Sequence, residues 1–325
     1  MKAVVLAGGY ATRLWPITRH RPKMLLPVGE TTVIDRIFAG LEADERIDEV
    51  FVSTNEAFAE EFEAYIADSE FQKLTLSVED TTDEDEKFGV VGALGQLVDR
   101  EGVDDDMLVI AGDNLMGFDV SEFIDFFESK GQTTLAAYDV GTLERATSYG
   151  VIDVDGDRVV ALEEKPDNPP STLVSIACYA FPRESLRFGE YLGDGNNPDE
   201  PGWYIKWLVE NDEVYAFPFD DAWYDIGTPQ SYLEAVAWAL GGESLVAADA
   251  EVVDSEIRDN VHVMPGAHIE DSIIEDSVVF PNATVKDCEV HDSIIDEETH
   301  VANVDLAGAL VGAHTKLTNS GTRTQ

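Results

Sequence analysis

The chain has 325 residues, 44% of them hydrophobic and 9% aromatic, enough for one large packed domain and a smaller one. With 66 Asp and Glu against 21 Lys and Arg, its net charge of −45 excludes nucleic acid and anionic membranes as main partners, because both are gripped by cations. The acids are spread along the chain, as on a surface kept soluble where salt screens self-repulsion, so a halophilic, cytoplasmic protein is expected.

Lys2–Leu6 is a short apolar run of the kind a buried parallel strand shows, and it ends in Gly8-Gly9. The run breaks at Thr12-Arg13, too early for a signal peptide. Strand and helix patterns then alternate: a strand at Val50–Thr54, a helix at Glu56–Ala67, a strand at Leu74–Val78, and a buried strand at Met107–Ala111. The last ends in Gly112-Asp113-Asn114, and Ser121 is expected to cap a helix running to Ser129. Six acids within Glu79–Glu86 read as a solvated loop. This alternation predicts an α/β fold: a mainly parallel sheet with helices on both faces and ligands beyond the carboxyl ends of its strands.

From Gly150 the pattern changes. Val151–Val154, the Asp155-Gly156 turn and Arg158–Leu162 predict a hairpin. A strand follows at Thr172–Phe181 and a helix at Gln230–Leu240. After Gly242 apolar residues recur with a period of 16: Val263, Val279, Ile295 and Val311; Val253, Ile269, Val285, Val301 and Leu317; Ile274, Val290 and Leu306. Such a repeat predicts a solenoid of stacked short strands. The domains are therefore expected at 1–241 and 242–325, with the tail pairing copies into a homo-oligomer. Cys178 and Cys288 lack metal-ligand spacing and are expected to be buried free thiols.

Charge locates the chemistry. Residues 1–29 hold no acid but carry Lys2, Arg13, Arg19, Arg21 and Lys23, a basic island best explained by an anionic ligand. Two adjacent glycines bring main-chain N–H groups close to such a ligand, as a phosphate cradle requires. No G-x-G-x-x-G follows the first strand and no P-loop occurs, so dinucleotide and P-loop chemistries lack their signature.

The stretch Leu6–Lys23 resembles the signature of the sugar-phosphate nucleotidyltransferases, including their glucose-1-phosphate thymidylyltransferase branch. Further pieces occur in the family's order: Gly112-Asp113-Asn114, Tyr149-Gly150, Glu164-Lys165-Pro166 and Trp223–Pro229. The resemblance spans about residues 1–240 and implies a Rossmann-like domain followed by a left-handed hexapeptide-type β-helix. It implies an enzyme in which the phosphate of a sugar 1-phosphate attacks the α-phosphorus of a nucleoside triphosphate and expels pyrophosphate. Leu6, Ala7, Gly8, Gly9, Thr12, Arg13, Lys23, Gly89 and Asp113 would hold the nucleotide. Tyr149, Gly150, Glu164, Lys165 and Tyr179 would hold the sugar phosphate. Asp113 and Asp225 would bind Mg²⁺, and Arg13, Lys23, Asp113, Lys165 and Asp225 would carry catalysis.

The chain departs from the family pattern at Ala11, where Gly is common, and at Ala177. It also lacks a Gln between Lys73 and Gly95, where many relatives use one against the base. Base and sugar are left open by these departures, with glucose 1-phosphate and dTTP or UTP expected first and mannose-1-phosphate guanylyl transfer second. Two other classes compete with this reading. An acyltransferase tail would use His262, His268, His291, His300 or His314 as a base, with His268, His300 and His262 expected at coil corners. A non-catalytic regulatory homologue would have lost Lys23, Asp113 or Asp225, and all three are present.

Overall fold

The computed structural model describes residues 1–79 and 88–319, so of the acidic stretch only Glu79 lies within the described residues. The chain forms two compact units. One joins Met1–Gly9 to Asp35–Trp223, and the other joins Tyr10–Ile34 to the chain from Tyr224 on.

The first unit is built on a nine-stranded sheet. Its strands are β1 (Lys2–Leu6), β2 (Glu49–Asn55), β3 (Leu74–Glu79), β4 (Met107–Ala111), β5 (Thr133–Asp139), β6 (Gly150–Asp155), β7 (Arg158–Glu164), β8 (Leu173–Phe181) and β9 (Val214–Phe219). Their order is β3-β2-β1-β4-β8-β5-β9-β7-β6. Pairings among β3, β2, β1 and β4 are parallel, as is β5 with β9, whereas β8 runs antiparallel to both β4 and β5. The expected hairpin is β6–β7, turning at Asp155-Gly156.

The helices are α1 (Val33–Ala43), α2 (Ala59–Asp68), α3 (Val90–Glu101), α4 (Val120–Lys130), α5 (Leu143–Ala146), α6 (Phe188–Gly193), α7 (Pro201–Asn211) and α8 (Pro229–Leu240). The cap of α4 is Asp119, whose carboxylate accepts the Ser121 N–H, so Ser121 lies inside the helix that it was expected to start. Asp caps as well as Ser does, and Asp119 stands two residues earlier. Val4, Phe51, Leu94, Val109, Phe181 and Leu208 share one core of this unit. Each fully buried side chain of that kind stabilises the fold by about 1.5–3 kcal/mol.

In the second unit the tail is a parallel β-helix of three sheets, two of five strands and one of four. Val263, Val279, Ile295 and Val311 are in register, as expected. At the second side the partner of Ile269 is Val252, not Val253, which is exposed. The corner between Ile257 and Val263 holds one residue more than the later corners, and that shifts the first coil. Many acids here are structural. Asp254, Asp271, Asp276, Asp287 and Asp292 turn corners at positive φ, a conformation that Asp and Asn tolerate better than other side chains. Ser277 and Ser293 form one column and Ser272 belongs to another, and each hydroxyl accepts an N–H of the next coil. Cys178 and Cys288 are buried and free.

The histidines expected at corners lie on strands instead. His268 and His300 occupy one row of the stack, and His262 is buried in another. His268 pairs with Glu251 and Glu270, His291 with Glu275, and His314 with Glu298. Three of the five are thus engaged with the tail's own carboxylates.

Candidate active site

In the sheet unit, the carboxyl ends of β1, β2, β3 and β4 gather the first group of candidates. Leu6 and Ala7 close β1: the Leu6 carbonyl accepts the Gly112 N–H, and the Ala7 N–H donates to Ser53. The Asn55 side chain donates to the Gly8 carbonyl at 2.8 Å, so the glycine turn is tied to the end of β2. A Cβ on Gly8 would lie 3.6 Å from Glu79 Oε1 and 3.8 Å from the Asn55 amide, in ordinary van der Waals contact with both. Asp113 follows β4, and one of its oxygens accepts the Asn114 side-chain amide, whose carbonyl accepts the Trp223 indole N–H.

Gly89 starts α3 at φ +76°, and any Cβ there would run into the backbone of Pro198-Asp199. Carbonyls of those two residues take the first N–H groups of α3, so this helix start is filled by protein.

The same unit holds the second group. Lys165 stands at φ +47° just after β7, its amine paired with Glu200 and its amide N–H bonded to the Tyr149 carbonyl. The Tyr149 ring meets Trp223 edge-on at 5.0 Å. Glu164 is fitted between Gly150 and Gly202. A Cβ on Gly150 would come within 2.8 Å of its carboxylate, and one on Gly202 would overlap it. Burial, reinforced by the charge of Glu200, raises the Glu164 pKa above its ordinary value. Tyr179, expected to line a sugar pocket, is only 3% exposed and belongs to the sheet core, where burial pushes its phenol up.

The second unit carries Thr12, Arg13, Lys23 and Asp225. Ala11 sits at φ +50°, and its carbonyl accepts from Leu14 and from the Thr18 hydroxyl, closing a tight turn under Thr12 and Arg13. Arg13 Nη2 would be 2.8 Å and Asp225 Oδ1 3.4 Å from a Cβ on Gly227. A cation from the first segment of this unit and a carboxylate from the second therefore both border Gly227, where a Cβ would displace the Arg13 guanidinium. Lys23 is buried, with 8% exposure.

The basic island is only partly available to a ligand. Arg21 pairs with Asp296 and Glu297 of the tail, both at 3.0 Å, and its guanidinium lies 4.9 Å from the Phe280 ring. In the sheet unit, Lys2 pairs with Glu49. A Cβ on Gly312 would meet Pro16 at 2.8 Å, and Tyr232 of α8 donates to the Pro27 carbonyl. The segment bearing Arg13 and Lys23 is thus moored on α8 and the tail, a role that no count of charges could reveal.

Asp113 in the sheet unit and Asp225 in the second unit are each hard oxygen donors, the ligand type that Mg²⁺ takes together with substrate phosphates. Among the described residues no group of three or more His, Cys, Asp or Glu could hold a metal ion without such help. That donor chemistry fits a metal that arrives with a nucleotide.

Residues 2–240 match the nucleotidyl transferase family, and residues 237–319 match the GlmU-like C-terminal hexapeptide family. The chain belongs to the nucleotidyl transferases. It is 30% identical over 285 residues to a Sulfolobus acidocaldarius protein named as a mannose-1-phosphate guanyltransferase, covering 84% of this chain and 76% of that one. It is 29% identical to the mannose-1-phosphate guanylyltransferase of Mycobacterium tuberculosis (82% and 72%) and 30% identical to a low-salt glycan biosynthesis nucleotidyltransferase of Haloferax volcanii (79% and 72%). The fold matches a Bacillus anthracis structure named as a glucose-1-phosphate thymidylyltransferase with a TM-score of 0.64, at 24% identity, over 74% of this chain and 95% of that one. No described helix is long and apolar enough to cross a membrane.

Proposed function

We propose that this nucleotidyltransferase joins a nucleoside triphosphate to a sugar 1-phosphate with Mg²⁺. A phosphate oxygen of the sugar 1-phosphate attacks the α-phosphorus, the bond to the β-phosphate oxygen breaks, and pyrophosphate leaves with that electron pair. Both reactants are anions, so the protein's task is to position them and neutralise charge. Main-chain N–H groups of the Gly8-Gly9 turn and the Arg13 guanidinium would grip the polyphosphate, and Lys23 would balance charge at the α-phosphate. Lys165, exchanging its Glu200 partner for substrate, would hold the sugar phosphate, with Glu164 accepting from sugar hydroxyls. Asp113 and Asp225 would hold Mg²⁺, which neutralises charge on the polyphosphate as pyrophosphate departs.

The observation that carries this reading is that Arg13 and Asp225 both border Gly227, a phosphate cation near a metal carboxylate. Glucose 1-phosphate with dTTP or UTP is the substrate pair that the motif resemblance implies. A second reading, mannose 1-phosphate with GTP, is favoured by the names of the Sulfolobus and Mycobacterium relatives. Such substrates place the reaction in the cytoplasm, and the acidic surface suits high salt. A pyrophosphate-release assay in molar KCl, crossing dTTP, UTP, GTP, CTP and ATP with several sugar 1-phosphates, tests the reading. Silence from every pair refutes it.

A further inference from the structure

Asn114 stands just beyond β4, is only 4% exposed, and has both ends of its side chain engaged within the sheet unit. Its oxygen accepts the Trp223 indole N–H at 2.6 Å, and its nitrogen donates to Asp113 Oδ1 at 2.8 Å. An indole N–H can only donate, so it dictates which end of the amide faces it. The oxygen goes to Trp223, and the NH₂ group goes to Asp113. A carboxylate turns over a broad range about its last torsion, and a donor at one oxygen narrows that range. Trp223 is itself fixed. It is 5% exposed, and its ring meets Tyr138 at 5.4 Å and Tyr149 at 5.0 Å, both edge-on. Beside it the Ala222 carbonyl accepts the Gly117 N–H at 2.8 Å.

The function proposed above uses Asp113 as a metal ligand and leaves Asn114 without a part. Resting on that function, we propose that Asn114 is a positioning residue: it holds one oxygen of Asp113 so that the other is presented to the metal–nucleotide complex, and Trp223 orients the amide that does so. A neutral amide suits this task. It donates without a positive charge that would compete with Mg²⁺ for the carboxylate, and without a proton that Asp113 could take. A carboxylate in its place would meet Asp113 acceptor to acceptor. Groups that hold a metal-binding carboxylate in this way contribute about 10- to 100-fold to metal affinity or rate.

The test compares the wild-type full chain with Asn114→Ala, Trp223→Phe and the double variant in molar KCl. Calorimetric titration measures affinity for GTP and for dTTP, each in Mg²⁺ and in EDTA, and the ratio of the two affinities isolates the metal's share. Pyrophosphate release gives kcat and the KM of the sugar 1-phosphate, with whichever of glucose 1-phosphate and mannose 1-phosphate the wild type uses faster. Asn114→Ala should shrink the Mg²⁺-dependent gain in nucleotide affinity and lower kcat, each by about 10- to 100-fold. Nucleotide affinity in EDTA and KM for the sugar 1-phosphate should be kept. Trp223→Phe, which removes the indole N–H, should move the same two quantities. The double variant should be no worse than Asn114→Ala, because both residues act through one chain of hydrogen bonds.

A melting temperature that falls while the Mg²⁺-dependent gain and kcat hold makes Asn114 a structural tie and overturns the proposal. A raised KM for the sugar 1-phosphate with the metal's share kept gives the amide to the sugar and also overturns it. Losses that add in the double variant break the link between Trp223 and Asn114 and overturn it as well. Should Asn114→Ala not fold, Trp223→Phe alone decides by the same two quantities. Should the wild type release no pyrophosphate from any pair, the function proposed above fails, and the titrations decide Asn114 separately. A Mg²⁺-dependent gain that Asn114→Ala loses supports the positioning role, and a gain that is kept, or absent from the wild type, overturns it.

Discussion

Replacing Arg21 with Met tests how the segment carrying Arg13 and Lys23 is held. Met keeps the apolar stem but removes the charge that faces Asp296, which is 2% exposed. Taking one partner from a buried ion pair costs about 3–5 kcal/mol, because the remaining charge is stranded. Here Asp296 keeps a hydrogen bond from the Glu297 N–H, and burial already raises its pKa, so it can shed the charge by taking a proton. Arg21 itself retains 20% side-chain exposure, which weakens the pair further. A loss of about 3 kcal/mol, at the low end of the range, is expected. Calorimetric unfolding in molar KCl measures it, with Asp296→Asn and the double variant completing a cycle. The double variant should recover at least about 1 kcal/mol of the summed loss, because the two residues share one interaction. Since the same segment carries Arg13 and Lys23, KM for the triphosphate should rise in Arg21→Met while the secondary structure is kept. If Arg21→Met loses under about 0.5 kcal/mol, as ordinary surface substitutions do, and KM does not move, the tail does not hold this segment and the reasoning is wrong.

Three further outcomes are expected. Asp113→Asn and Asp225→Asn should each lower kcat by at least about 100-fold, as loss of a group that stabilises transition-state charge does. Near wild-type rates in either variant would remove that residue from the metal site. Glu79→Gln should raise the melting temperature of the unliganded protein at pH 8. The pKa of Glu79 is raised in the fold, so its buried charge costs stability above that raised value, and the cost fades as pH falls toward the ordinary value of 4.5. A gain that persists unchanged at pH 4 would contradict this cause. Light scattering of the full chain in molar KCl should give at least twice the mass of one 35.6 kDa chain, and a monomer would end the expected pairing through the tail.

Much of the fold was legible because its signals are local and periodic. Met107–Ala111 is a continuous apolar run bounded by polar residues, and it is β4 to the residue. Asp155-Gly156 can adopt little else than a hairpin turn. The tail's period gave its later coils, and it slipped where a corner lengthened by one residue exchanged Val252 for Val253. Other features depended on partners far along the chain. Charge density counted Glu79 with its acidic neighbours, but that residue is packed against Ser53 on β2 and the Gly8 turn after β1. Arg21 looked like a ligand cation because the acids that engage it lie about 275 residues away in the tail. Tyr179 was assigned to the sugar pocket by resemblance alone, and its side chain lies in the core. Candidate residues were readable by type and order, whereas their partners were not.

The most direct measurement is the ³¹P NMR spectrum of a reaction containing the protein, Mg²⁺, GTP and mannose 1-phosphate in molar KCl, repeated with dTTP and glucose 1-phosphate. In at least one mixture the account predicts pyrophosphate and a nucleoside diphosphate sugar in equal amounts, with loss of both in Lys23→Met. Pyrophosphate accompanied by nucleoside monophosphate, or unchanged substrates in both mixtures, would contradict it.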